Sequence, residues 1–119
     1  MKAKRYEDLI VWQKSFALVK NIYSLTEKFP NEEKYSMTNQ VRRSCVSIPA
    51  NIAEGFGRYH PKEKIRFYNI SIASLNETEN YLKLAQDLKI SDTNALQKEC
   101  VEIRKMLCSY IKAIRSNTN

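Results

Sequence analysis

Only five residues of this 119-residue chain are of the kinds that most readily turn or break a backbone: Pro30, Pro49, Gly55, Gly57 and Pro61. A chain so poor in punctuation must fold into a few long elements, and its apolar residues recur every three or four positions instead of every second one. That spacing specifies amphipathic helices. Over about residues 8–28, Leu9, Trp12, Phe16, Val19, Tyr23 and Thr26 hold a four-three step, widened by Ile10, Leu18, Ile22 and Leu25. Glu7 and Asp8 stand where a helix N-terminus favours negative charge. Phe29 before Pro30 ends this helix, because a residue preceding proline is pushed out of the α region.

Residues 31–35 form a short acidic connection, and Ser36 is the expected N-cap of a second helix. Its apolar stripe, Met37, Val41, Cys45, Ile48, Ile52 and Phe56, runs unbroken across Pro49. An interior proline costs a helix about 3 kcal/mol. The unbroken register nevertheless predicts one helix kinked at Pro49, the rival being a break at Ser47 with Pro49 in the first turn of a new helix. Gly55 and Gly57 mark its end, where a left-handed cap residue is wanted. A third helix opens at Pro61 and runs to about residue 88, with Ser71, Ala73 and Ser74 allowing close packing at its centre. Ser91 or Asp92 caps a fourth, in which Leu96, Cys100, Ile103, Leu107, Tyr110 and Ile114 form the seam. Residues 1–5, carrying Lys2, Lys4 and Arg5, are expected to be a mobile basic arm, and residues 116–119 a frayed tail. Short links between long helices imply alternating directions: an all-α, single-domain fold over residues 1–119, an antiparallel up-down-up-down four-helix bundle.

The same residues exclude most chemistry. Carboxylate-bridged metal bundles need Glu-x-x-His pairs on facing helices, and the single histidine, His60, precedes a proline in a loop. Ser-His and Cys-His nucleophile pairs fall for the same reason. Gly55-Phe56-Gly57 lacks the spacing and the following lysine of a phosphate loop. No catalytic residue, metal or cofactor is expected. Cys45, Cys100 and Cys108, odd in number and on apolar helix faces, read as small buried hydrophobes in a reducing compartment. No apolar run reaches about eighteen residues, and the N-terminal segment has no apolar core suited to a signal peptide, so a cytoplasmic protein without a membrane partner is expected.

Charge is the remaining clue. Twenty Lys and Arg against thirteen Asp and Glu give +7, a balance that draws a protein toward polyanions. Between residues 42 and 66 there are six cations, Arg42, Arg43, Arg58, Lys62, Lys64 and Arg66, against Glu54 and Glu63. Lys62 and Lys64, with Lys2, Lys4, Arg5 and Arg42, are the candidate phosphate contacts; Tyr59, His60 and Tyr68 are placed to stack on bases. A polar stripe of Gln40, Arg43, Ser47, Asn51, Glu54 and Arg58 follows one face of the second helix. For Arg43, Asn51 and Glu54 an internal or subunit-interface network is favoured over nucleic-acid contact, and Glu54 and Arg58 are spaced for an ion pair. Beside the stripe, Val46, Ala50 and Ala53 are small enough to let another helix come close.

Asp8-Leu9 with Trp12-Gln13-Lys14, Phe29-Pro30, Glu33, Gln40 with Arg42-Arg43, Arg66-Phe67, Ser74-Leu75 with Glu77, and above all the block from Ser47 to Gly55 resemble the four-helix-bundle proteins encoded in intervening sequences of bacterial 23S ribosomal RNA genes. The fourth helix matches in pattern only, and Cys45 stands where that family usually has another small residue. The resemblance implies a ring-shaped homopentamer and no catalysis. A related branch comprises accessory proteins of diversity-generating retroelements, similar bundles that bind nucleic acid through basic surfaces and associate with a reverse transcriptase. The function expected is therefore a non-catalytic oligomeric accessory protein that binds RNA or DNA electrostatically, alongside a reverse transcriptase if it serves that branch. The alternative is a scaffold that binds only protein.

Overall fold

Pro49 lies inside an uninterrupted helix. The computed structural model describes residues 2–117, in which the long elements are α1 (Ile10–Thr26), α2 (Asn39–Phe56), α3 (Pro61–Asp87) and α4 (Asn94–Asn117), with no strand among the described residues. α2 continues through Pro49 and does not break at Ser47. Its buried residues, Val41, Cys45, Ile48 and Ile52, keep one register on both sides of the proline. They meet Leu18 and Ile22 of α1, Leu75 and Leu82 of α3, and Ile103 and Leu107 of α4 in one core. Contacts between neighbours run in opposite order along the two helices. Ser44, Ser47 and Ile48 of α2 bond Thr78, Ser74 and Ser71 of α3, while Tyr68 and Glu79 of α3 meet Tyr110 and Arg104 of α4. The molecule is a rod of 50 × 23 × 21 Å, its length set by helices that rise about 1.5 Å per residue.

Several local expectations are corrected. The buried line of α1 is Val11, Ser15, Leu18, Ile22 and Thr26, and the aromatic stripe faces outward, with Phe16 45% and Tyr23 39% exposed. Two polar residues are buried in preference to two aromatics because their hydroxyls bond back into the helix: Ser15 donates to the Val11 carbonyl and Thr26 to that of Ile22, both at 2.7 Å. With its hydroxyl so satisfied, each becomes a small spacer at the core. Ser36 is not an N-cap. A 3-10 turn (Asn31–Glu33) and a π-turn (Lys34–Thr38) lead directly into α2, burying Met37 and Thr38, and the Ser36 hydroxyl bonds the Glu33 carboxylate. α4 opens at Asn94, so the cap position falls to Thr93, whose carbonyl accepts the Gln97 amide, and not to Ser91 or Asp92; Asp92 accepts the Asn94 amide at 3.1 Å.

In the N-terminal arm, Lys4 and Arg5 are hydrogen-bonded through their backbone amides, which Asp8 accepts at 3.1 Å each across a 3-10 turn (Tyr6–Asp8). At the other terminus Ser116 and Asn117 continue α4 as helix, and residues 1, 118 and 119 lie outside the described residues. Cys45 and Cys100 are buried, which pushes both thiols up to about 12, whereas Cys108 is exposed on α4.

Neither glycine is left-handed. The left-handed residue is Lys89, with φ 61°, at the end of α3. There the Ile90 amide bonds the Ala85 carbonyl and the Lys89 amide that of Gln86, the paired bonds of a Schellman ending. Gly55 instead provides room: a Cβ there would sit 2.7 Å from the Tyr68 ring, while at Gly57 the nearest atom would be 3.6 Å away. Gly55→Ala should therefore lower unfolding free energy in urea by about 1–3 kcal/mol through overpacking. Gly57→Ala, with nothing in the way, should cost nothing or stabilise slightly. Equal effects of the two substitutions would contradict the close approach of α2 to α3.

Candidate nucleic-acid interface

The opposed contact order brings the start of α1, the end of α2, the start of α3 and the end of α4 to one end of the rod. A cleft there is lined jointly by Lys4, Phe56, Lys64 and Ile114, and a neighbouring hollow by His60, Lys62 and Arg115. Nine Lys or Arg lie at this end (Lys2, Lys4, Arg5, Arg58, Lys62, Lys64, Arg66, Lys112 and Arg115) against four carboxylates (Glu7, Asp8, Glu54 and Glu63). At the far end, residues 27–34 and 87–92 carry three Lys and five acids. One tip is thus strongly positive, net +5, and the other net −2.

Within that tip the candidates differ in availability. Lys2, Lys4 and Lys62 are exposed and carry no ion pair among the described residues. Arg5 pairs with Glu7 at 2.6 Å on the surface. Arg58 pairs with Glu54 at 3.0 Å, and Arg66 lies 3.5 Å from Glu63. The guanidiniums of Arg58 and Arg66 also rest against the Phe67 ring, at 4.7 and 5.1 Å from its centroid. Tyr59 is 89% exposed, with the His60 ring edge-on to it at 5.4 Å, whereas Tyr68 is buried.

Two of the expected phosphate ligands serve the fold. Arg42 lies away from the basic tip, where its Nε donates to Thr26 Oγ1 (2.8 Å), its Nη2 to the Tyr23 carbonyl (3.2 Å), and its guanidinium covers the Tyr23 ring. It braces the C-terminal end of α1. Lys64 does the same for α2, donating to the Phe56 carbonyl at 2.7 Å and the Gly55 carbonyl at 3.4 Å, groups that a helix end leaves without an intrahelical partner. Burial lowers the Lys64 pKa.

The polar stripe of α2 divides. Ser47 and Asn51 belong to an α2–α3 seam in which Ser47 and Ser74 share a hydrogen bond of 2.8 Å, and Asn51 Nδ2 donates to the Ser47 carbonyl and hydroxyl. Glu54 and Arg58 form a surface pair. Gln40 and Arg43 are exposed and unpaired among the described residues, so Arg43 and Glu54 are not part of an internal network within the chain. Lys112 and Arg115 escaped the sequence reading because they lie about fifty residues beyond the local cluster; only the alternating helix directions bring them to it. A partly buried lock between α3 and α4, where Arg104 reaches Glu79 and Asn76 at 2.9 Å each, was also missed.

Residues 7–109 match the family described as 23S rRNA-intervening sequence protein. The chain belongs to that family. No curated protein matches the sequence. A solved structure, the crystal structure of a protein of unknown function from the S23 ribosomal protein family of Bacteroides thetaiotaomicron, is similar at 33% identity with a TM-score of 0.78, covering 87% of this chain and 99% of its own. For this member of the 23S rRNA-intervening sequence family, the division of the polar stripe has a direct consequence for stability. Asn51→Ala should lower unfolding free energy by about 1 kcal/mol, the usual net value of a hydrogen bond. Glu54→Ala, which removes half of an exposed ion pair, should change it by no more than about 0.5 kcal/mol. Denaturant unfolding of the two variants checks this, and a larger loss from Glu54→Ala would reverse the assignment.

Proposed function

We propose that this protein is a non-catalytic accessory protein that binds nucleic acid electrostatically through the basic end of its bundle. The observation that carries the reading is the concentration of positive charge at one tip of the rod, where Lys2, Lys4 and Lys62 are exposed and unpaired. Phosphate contacts of this kind position a protein on a strand without reading its sequence. Tyr59 and His60 on the same tip supply ring faces for an unpaired base. A reverse transcriptase as partner belongs to this reading through the family resemblance alone.

A second observation favours assembly. On the outer side of α1 and α2 a groove of about 300 Å³ is lined by Tyr6, Trp12, Phe16 and Val19 on one wall and by Val46, Pro49, Ala50 and Ala53 on the other. Trp12 and Phe16 stack at 4.7 Å. We assign this face to contact between copies of the chain, five in the ring that the resemblance implies. Aromatics beside small residues give two helices both area and close approach. Assembly would set several basic tips on one particle, so that one strand meets many lysines and apparent affinity rises above that of a single chain.

The triple substitution of Lys2, Lys4 and Lys62 by Ala should weaken binding to unrelated RNA and DNA sequences alike. It should also flatten the log-log salt dependence, by up to about 0.9 per lost phosphate contact on duplex DNA. Mobility shift at two salt concentrations measures both. Binding that persists at high salt, or a sharp preference for one sequence, would count against the reading, and no binding at low salt would leave the protein-only scaffold in its place. Separately, Ala50→Glu should reduce the mass seen by light scattering to that of a smaller assembly while leaving helicity intact. An unchanged mass would remove the groove from the assembly surface.

A further inference from the structure

Beneath the N-terminal arm, at the basic end, lies an open cleft of about 770 Å³ that electrostatic contact with a strand does not use. Its walls are apolar, formed by Leu9, Ile10, Phe56 and Ile114, and Lys2 and Lys4 stand on its lining as well. Tyr68, only 4% exposed, lines it from α3, and its hydroxyl has no hydrogen-bond partner among the described residues. That hydroxyl is not sealed in the protein either, because no buried polar side-chain atom of the described residues lacks a partner. What Tyr68 exposes therefore includes its O–H, on the cleft. A phenylalanine would pack against Gly55 as well; the hydroxyl adds only a donor in search of an acceptor.

Two further donors converge there. Lys64 uses two of its three N–H groups on the Phe56 and Gly55 carbonyls, which leaves the third for an acceptor. Tyr110 lines the same cleft from α4, its ring 6.3 Å from that of Tyr68. Burial pushes both phenols up, Tyr68 to about 12, so both remain protonated and donate. The one carboxylate on the lining, Asp8, already accepts the Lys4 and Arg5 amides through Oδ2, and against it stand Lys2, Lys4 and Lys64 with the two phenols, a balance that selects an anionic group. The four apolar walls select an apolar body attached to it, and they offer nothing to the polar edges of a nucleobase.

We propose that this cleft binds a small amphipathic anion, an alkyl chain ending in a carboxylate or a phosphate, with its head group held by Lys64, Tyr68 and Tyr110 and its chain against Leu9, Phe56 and Ile114. The cleft shares Lys2 and Lys4 with the nucleic-acid reading, but its head-group contacts Lys64, Tyr68 and Tyr110 are not the cations that reading rests on, so each can fail alone.

The test is a titration of methyl-labelled protein followed by NMR, with decanoate and decyl phosphate as probes below their micelle-forming concentrations. Decanol and inorganic phosphate are the controls. Saturable shifts are expected at the Ile10 and Ile114 methyls, with Val19 and Val46 in the outer groove unmoved. Whichever of the two anions binds more tightly identifies the head group. Tyr68→Phe, which keeps the ring, should weaken binding of that anion about five- to tenfold, and its unchanged thermal midpoint would show that the fold is intact. Shifts confined to Val19 and Val46, decanol or inorganic phosphate binding as tightly as the anions, unaltered affinity in Tyr68→Phe, or no saturable shift with either anion would each overturn the proposal.

Discussion

The closeness of α2 to α3 governs this bundle. Gly55 lies under the Tyr68 ring with no room for a methyl group, and from there the two helices are joined by paired hydroxyls: Ser71 to the Ile48 carbonyl, Ser47 to Ser74, and Ser44 to Thr78. Such bonds add little net stability when made, but each costs about 1–3 kcal/mol when a buried group is left without its partner. A slip of one turn along the seam would orphan several at once. The seam therefore sets register, and the apolar core, which alone would tolerate sliding, follows it. Pro49 sits within the same stretch, where the neighbouring carbonyls of Ser47 and Ile48 receive side-chain donors from Asn51 and Ser71.

From that register follow the positions of the charges. Once α2 and α3 are aligned, the short turn between them holds Arg58, Tyr59 and His60 at one tip, with Lys62 in the first turn of α3 beside them. Some cations are then needed by the frame itself. Arg42 and Lys64 complete carbonyls near the ends of α1 and α2, and cations at helix C-termini are favoured by the helix dipole as well. A count of basic residues along the chain treats these as equal to Lys62, whereas their hydrogen bonds distinguish them.

The four helices were legible because long apolar periodicities and so few glycines and prolines leave one reading open. The rotation of α1 was not. Size and aromaticity argued for burying Phe16 and Tyr23; Thr26 is buried as its place on the stripe implied, but Ser15, off that stripe, takes the core with its hydroxyl satisfied within its own helix. The glycines misled in the opposite way: Gly55 is a matter of space and not of backbone handedness, while the left-handed position fell to Lys89, a residue type that gives no sequence signal for it. At the candidate interface the run around Lys62 and the arm lysines Lys2 and Lys4 could be seen, but the contributions of Lys112 and Arg115 depend on tertiary arrangement. The Tyr68 hydroxyl carried no sequence signal at all, since a tyrosine on an apolar stripe looks like any other core aromatic.

The separation of charge along the rod also bears on how the molecule arrives at a partner. A positive tip and a mildly acidic one stand at opposite ends of a body 50 Å long, several times the Debye length of about 8 Å at physiological salt. In the field of a polyanion the two ends experience opposite forces, which exerts a torque before any contact forms. Diffusional encounters are thereby biased toward end-on approach, so fewer collisions are lost to misorientation and the association rate rises, most of all in dilute salt.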